Sequence, residues 1–503
     1  MDHLKTILAT LSAEEQKELG RFIGRQKQRK GRKDLELYRL LLQKQDLTAA
    51  DLVKKLYPEA PNVPAYHALR KRLFSHLADY ILLKRQENDP TAAASVRGLL
   101  SLAGYLFEKR ADQIGWNVLR KAEKLADANE QYDLLNAVYN LQIEHAQSPH
   151  GDALPDIIGK YTRNKARADE EERAGIACGW VNHYLQAAKV QGGDLPFEAI
   201  TGQVLAQLNL AQVAADRPKL MYQLLSVARG AVLVRKDFFS FEPYLVGQYE
   251  ALAARNAFGP RHGSYKTGLL YMIAQTQYRN RKFAASLQRL EQLRQALAES
   301  PKAGQQQLVP RYTLLWAMNH VYLGKNDEAV AVLEKVLAGG EGDDWPVAHL
   351  LNARINLAFC YFQRGDFARA NRLLLAAGHS DRWSTKKMGR EWTLKKNLSE
   401  IIIQYELGNV DLVLNKVRSI ERNFDALLRS PVYANVRTYL QFIRQLVDRP
   451  GAAAAKAFSA EVDCTFRFLP VEQEDLQAMS FYAWLKSKML KRDYYDVLLE
   501  LVA

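Results

Sequence analysis

Cysteine is nearly missing from this chain. Its three cysteines, Cys178, Cys360 and Cys464, are scattered over 503 residues. That is too sparse for a disulfide framework or a paired-thiolate metal motif, and it points to a reducing compartment. Long apolar runs are missing as well. No stretch reaches the roughly 18 apolar residues that a membrane helix needs. The apolar run Ile7 to Leu11 is followed by Glu14 and Glu15 and is too short for the core of a signal peptide. A cytoplasmic protein without membrane insertion is expected.

Catalytic signatures are also absent. The segments GKYT at Gly159 and GKND at Gly324 lack the upstream glycine of a phosphate loop. There is no His-Glu-x-x-His, no Cys-x-x-Cys and no Gly-x-Ser-x-Gly elbow, and the ten histidines are dispersed. No enzyme, metal or cofactor is expected. His183 and His320 fall on helices expected to line an inner wall, but neither has a visible nucleophile beside it, so each reads as a structural histidine. The four acids Asp169 to Glu172 read as the first turn of a helix, where the macrodipole favours negative charge.

Acidic charge is in deficit. The net charge is +14, and residues 1–90 alone hold 18 Lys/Arg against 12 Asp/Glu. Most of that surplus lies in RFIGRQKQRKGRK, Arg21 to Lys33, where seven of thirteen residues are basic. Such a run reads either as a solvated linker or as a contact for nucleic acid, carried by Arg25, Lys27, Arg29, Lys30, Arg32 and Lys33.

What the chain does have is helical periodicity. Apolar residues recur at three and four positions almost everywhere after residue 35, and convincing strand alternation is absent. Pro and Gly cluster at Ser148–Pro155, Gln191–Pro196, Gly259–Gly263, Gly339–Pro346 and Arg449–Gly451, cutting an all-α chain into helices of roughly 15 residues. The stretch AFCYFQRGDFARANRLLLAAG, Ala358 to Gly378, shows the unit. Leu357, Ala358 and Tyr361 form one stripe, Gly365 ends the helix, and Ala370, Leu374 and Ala377 face back from the next. Gly324 and Ala329 repeat the relation 41 residues earlier, and Gly408 and Val413 repeat it 43 residues later. By spacing, Ser286, Ala455 and Val497 occupy the position of Ala370, Pro155 and Pro196 open further copies, and Gly115, Leu119 and Ala122 mark the first.

This unit resembles the tetratricopeptide repeat, although the spacing is longer than that family's usual one. The resemblance implies a right-handed α-solenoid of about ten helical hairpins over residues 91–503. Residues 1–90 are expected to form a separate helical domain. Ser12 and Glu15 have capping-box spacing, Thr48 is a suitable N-cap, and Leu69, Leu73, Leu77, Ile81 and Leu82 form a packing seam. This domain reads as a cap on the solenoid or as a degenerate helix-turn-helix whose third helix carries Arg70, Lys71 and Arg72. Its layout is similar to that of uncharacterised helical-repeat proteins of Bacteroidota.

Stacked hairpins present the first helix of each pair on a concave wall. The repeat spacing puts Tyr271, Gln275, Tyr278, Arg311, Tyr322, Asn352, Asn356, Gln363, Lys395, Arg437, Gln441 and Arg444 on or near it. Amides, cations and tyrosines suit a peptide backbone and its side chains, so a protein or peptide partner is expected. The family resemblance adds a specific role for Asn356 alone, which falls where peptide-binding repeats use asparagine to hold a ligand backbone.

Overall fold

The computed structural model describes residues 3–25, 33–42, 47–88, 91–191, 197–214, 216–235, 238–299, 302–339, 345–376, 378–430, 433–466 and 476–503. All of their regular secondary structure is helical, and the helices pack mainly against their neighbours in the chain. Among the described residues no helix is long and apolar enough to cross a membrane. The chain divides into two compact units, residues 1–169 and 170–503.

The first unit holds two apolar clusters. One joins five helices between His3 and Asn88 around Leu19, Ile23, Leu37, Leu73 and Leu77. The other surrounds Trp116 and draws on residues 96–157. The buried residues of the first cluster end at Tyr80 and those of the second begin at Val96. Both sequence-read caps are present. Glu15 N–H donates to Ser12 Oγ at 3.2 Å while Ser12 N–H donates to Glu15 Oε2 at 2.7 Å, and Thr48 and Asp51 repeat the exchange. The seam holds at Leu69, Leu73 and Leu77, but Leu82 is exposed. Tyr80 turns inward in its place and donates to Glu18 at 2.9 Å. Gly115 packs so close to Phe107 that a methyl group there would lie 2.9 Å from the ring.

One turn recurs through the second unit. Arg281, Gly324, Gly365 and Gly408 adopt φ of 61°, 75°, 74° and 75°. The next N–H then returns to a carbonyl five residues back: Lys282 to Gln277, Lys325 to His320 and Asp366 to Tyr361, each at 2.9 Å, and Asn409 to Gln404 at 3.0 Å. This bond satisfies a carbonyl left open at the helix end and reverses the chain within three residues. Lys491 makes the same turn near the C-terminus. The residues five beyond the first four turns, Ser286, Ala329, Ala370 and Val413, are all buried in the hairpin contact, as is Val497, six beyond Lys491. Ala377 lies outside the described residues, as does Pro196.

Three expectations of local structure are corrected. Ala455 is exposed, because Pro450 to Ala454 form a short 3-10 turn in place of the tight reversal, and Ala453 is buried instead. The uniform helix length fails at Leu154–Gln191, a single helix of 38 residues. The acids Asp169 to Glu172 therefore lie in its interior rather than in a first turn. Glu170 and Glu171 are held there by Arg217 and Lys219, both at 2.7 Å.

The first helices of three successive hairpins, Gly263–Arg279, Lys302–Tyr322 and Val347–Gln363, lie side by side. The Arg390–Glu406 helix lines a cavity together with these three, and a partly buried charge cluster around Lys396 fixes it. Lys396 Nζ lies 3.1 Å from Asp381 and 2.9 Å from Glu400, and Asn397 donates to Asp381 at 2.9 Å. Burial opposes the Asp381 charge, but Asn397 and Lys396 outweigh it and hold its pKa below the ordinary value. Asp381→Asn should destabilise the protein by about 1–3 kcal/mol at neutral pH, the scale of charge-assisted hydrogen bonds. The stabilisation is present above the unfolded carboxylate pKa and is lost as pH falls through the lower folded value. Melting curves of both proteins should therefore converge on acidification, and a constant gap would exclude the ion pair as its source.

The C-terminal hairpin, Leu476–Leu490 and Tyr494–Val502, does not simply pack on the helices that precede it. Arg281 donates to the Leu501 carbonyl at 3.0 Å, Tyr495 donates to the Val321 carbonyl, and Tyr494 packs edge-on to Phe362. Trp484 is fully buried between Tyr405 and Tyr439 and donates to Glu406 at 2.6 Å. The hairpin thus closes onto segments that precede it by up to 220 residues.

Candidate functional site

Where the C-terminal hairpin meets the wall it leaves a cavity of about 530 Å³, within the usual range of ligand clefts. Helical spacing aims the lining residues. Tyr271, Gln275 and Tyr278 share one face of Gly263–Arg279. Arg311, Leu314, Met318 and Tyr322 share one face of Lys302–Tyr322, and His349, Asn352, Asn356, Phe359 and Gln363 one face of Val347–Gln363. Lys395 and Trp392 project from the next helix, Arg229 from Pro218–Arg235, and Leu476, Gln477 and Ser480 from the C-terminal hairpin.

Nine of the twelve groove residues expected from sequence meet in this cavity. Arg437, Gln441 and Arg444 do not. They line a separate cleft of about 180 Å³ with Glu421, Asp425 and Arg429, where Arg444 pairs with Glu421. These three of the expected groove residues thus lie outside the cavity, in a cleft that carries both signs of charge. His320 does not line the cavity; it stacks on Trp316 with Nδ1 3.0 Å from the Trp316 carbonyl. His183 is exposed and is likewise outside it.

Several lining groups are already engaged. Gln363 accepts from Asn326 at 2.9 Å, Asn352 accepts from Trp392 at 2.8 Å, and Tyr322 stacks on Phe283. These three tie neighbouring helices together. Gln275 accepts from Arg229. The Asn356 amide and the Tyr271 hydroxyl have no hydrogen-bond partner among the described residues.

The electrostatics are one-sided. Arg229, Arg279, Arg311 and Lys395 line the cavity, and no described lining residue is a carboxylate. Burial lowers the Arg229 pKa, and the Arg311 and Arg279 charges lower it further against the opposing effect of Tyr271. Burial raises Tyr271, partly offset by the same three arginines. His349 is pushed down by burial and by Arg311, which favours its neutral form. Elsewhere, burial raises the thiols of Cys178 to about 11 and Cys360 to about 12, so both stay protonated and unreactive.

Sequence reasoning missed Arg229, Arg279, His349, Trp392 and the C-terminal lining. Arg279, His349 and Trp392 lie on wall helices at helical spacing from chosen residues, so the face could have been drawn wider. Arg229 and the C-terminal residues carry no such signal. Of the basic run, Lys27, Arg29, Lys30 and Arg32 lie outside the described residues. Lys33 packs its ammonium 3.8 Å from the Tyr57 ring centre, and Arg70 donates to Tyr66 at 3.1 Å. Lys71 and Arg72 are exposed.

Comparison with known proteins returned neither a matching family nor a matching curated protein.

Proposed function

We propose that this chain is a binding scaffold, a tetratricopeptide-like α-solenoid that takes a peptide segment of a protein partner into its inner cavity. One observation carries the reading. Side chains from successive first helices converge on a single cleft with an apolar floor of Leu314, Leu315, Met318, Ile355 and Phe359 and open polar groups above it. Apolar surface supplies affinity, and a few placed polar groups supply orientation. Asn356 is suited to hold a ligand backbone, since its amide can both donate and accept. Three free, well-separated cysteines fit work in the cytoplasm.

A photo-cross-linking residue at Met318 tests this. Partner peptides should be captured from the cavity, be lost in the Asn356→Ala variant, and be absent when the cross-linker is moved to exposed Leu375. Equal capture from both positions would overturn the assignment.

A further inference from the structure

The geometry points to a phosphate-recognition subsite at the Arg229–Arg311 end of the cavity. The inference rests on the binding reading above and narrows it. The four cations of the lining are not equivalent. Lys395 has Glu391 at 3.3 Å on its own helix, and Arg279 stands 5.9 Å from the Phe238 ring centre. Arg229 is bonded only to the neutral Gln275 amide, and Arg311 makes no hydrogen bond or ion pair among the described residues. Two guanidinium charges therefore share one cleft with no described carboxylate between them, next to the open hydroxyl of Tyr271.

A folded chain gains nothing in stability from holding two like charges together. The arrangement is favourable once an anion enters, because low-dielectric walls strengthen the attraction and guanidinium forks match oxyanions. A single carboxylate would compensate one of the two charges. A phosphate monoester carries about −1.5 to −2 at neutral pH and three acceptor oxygens. Arg229, Arg311 and the Tyr271 hydroxyl can supply a donor to each of them. The ligand class is therefore a phosphoryl group, carried by a peptide side chain or by a small compound.

Three probes of known composition test this by calorimetry: N-acetyl-phosphoserine-N-methylamide, its glutamate counterpart, and inorganic phosphate. The phosphoserine probe should bind about tenfold or more tightly than the glutamate probe. Arg311→Gln, at an exposed position where folding is not at risk, should lose that preference, as should Arg229→Gln. Arg372→Gln removes one charge from an exposed position outside the cavity and should keep it. Tighter binding of capped phosphoserine than of inorganic phosphate makes a phosphorylated segment the source, and the reverse order makes it a free phosphorylated compound. Either order supports phosphoryl recognition. Equal affinity for the phosphoserine and glutamate probes, no binding of either phosphate probe, or a preference that survives Arg311→Gln would overturn it. Cross-linking at Met318 that yields peptides without phosphate selectivity would leave the scaffold reading standing and remove this one.

Discussion

Trp484→Ala is expected to cost about 3–5 kcal/mol, the usual range for truncating a fully buried aromatic. The ring is fully buried, lies 5.2 Å from Tyr405 centre to centre, and anchors the C-terminal hairpin through its bond to Glu406. Removing it leaves a cavity and takes one of two partners from the Glu406 carboxylate, which keeps its ion pair with Lys488. Because the hairpin also caps the Val321 carbonyl through Tyr495, the damage should reach residues far from the C-terminus in sequence. Hydrogen exchange should accelerate in the helix ending at Tyr322 as well as in the hairpin. Trp180→Ala, at a residue 43% exposed, should cost far less than Trp484→Ala. Equal denaturation midpoints for the two variants would mean that the hairpin closure contributes nothing.

Ala370→Leu should lower stability although leucine forms helices well. Ala370 is fully buried where its helix crosses the preceding one, which presents Ala358 and Tyr361, both buried. Overpacking such a contact costs roughly 1–3 kcal/mol, because neighbouring side chains must leave their rotamers or the backbones must separate. Ala368 is exposed on the same helix, so Ala368→Leu serves as the control for propensity alone. Thermal melts separate the two readings. Matching midpoints would show that the crossing has room to spare, and the repeat register drawn through Ser286, Ala329, Ala370 and Val413 would then be wrong.

The sequence by itself determined the local features of this protein. Helical periodicity, the Ser12 and Thr48 caps and the turns at Gly324, Gly365 and Gly408 can all be read because each depends on hydrogen bonds and sterics spanning a few residues. The small buried residue five beyond each turn follows from the same short range. Even the cavity wall was partly legible, since a helix that repeats its turn at regular intervals presents the same face each time. Arg281 and Lys491 concealed two of those turns only because they adopt a conformation for which glycine is the usual signal.

Tertiary structure decided the rest. Nothing local marks Tyr495 as the partner of Val321, 174 residues away, or Arg281 as the partner of Leu501, 220 residues away. Nor does sequence order place Arg229 in a cavity with residues from the middle of the chain, separate Arg444 from Asn356, or engage the acids near Glu170 with Arg217. Pro450 breaks the turn and shifts Ala455 into solvent although the spacing alone is kept. These outcomes depend on which apolar faces remain uncovered once the hairpins have formed. Burial of apolar surface is non-directional, so many pairings are locally acceptable and only the whole packed chain selects among them.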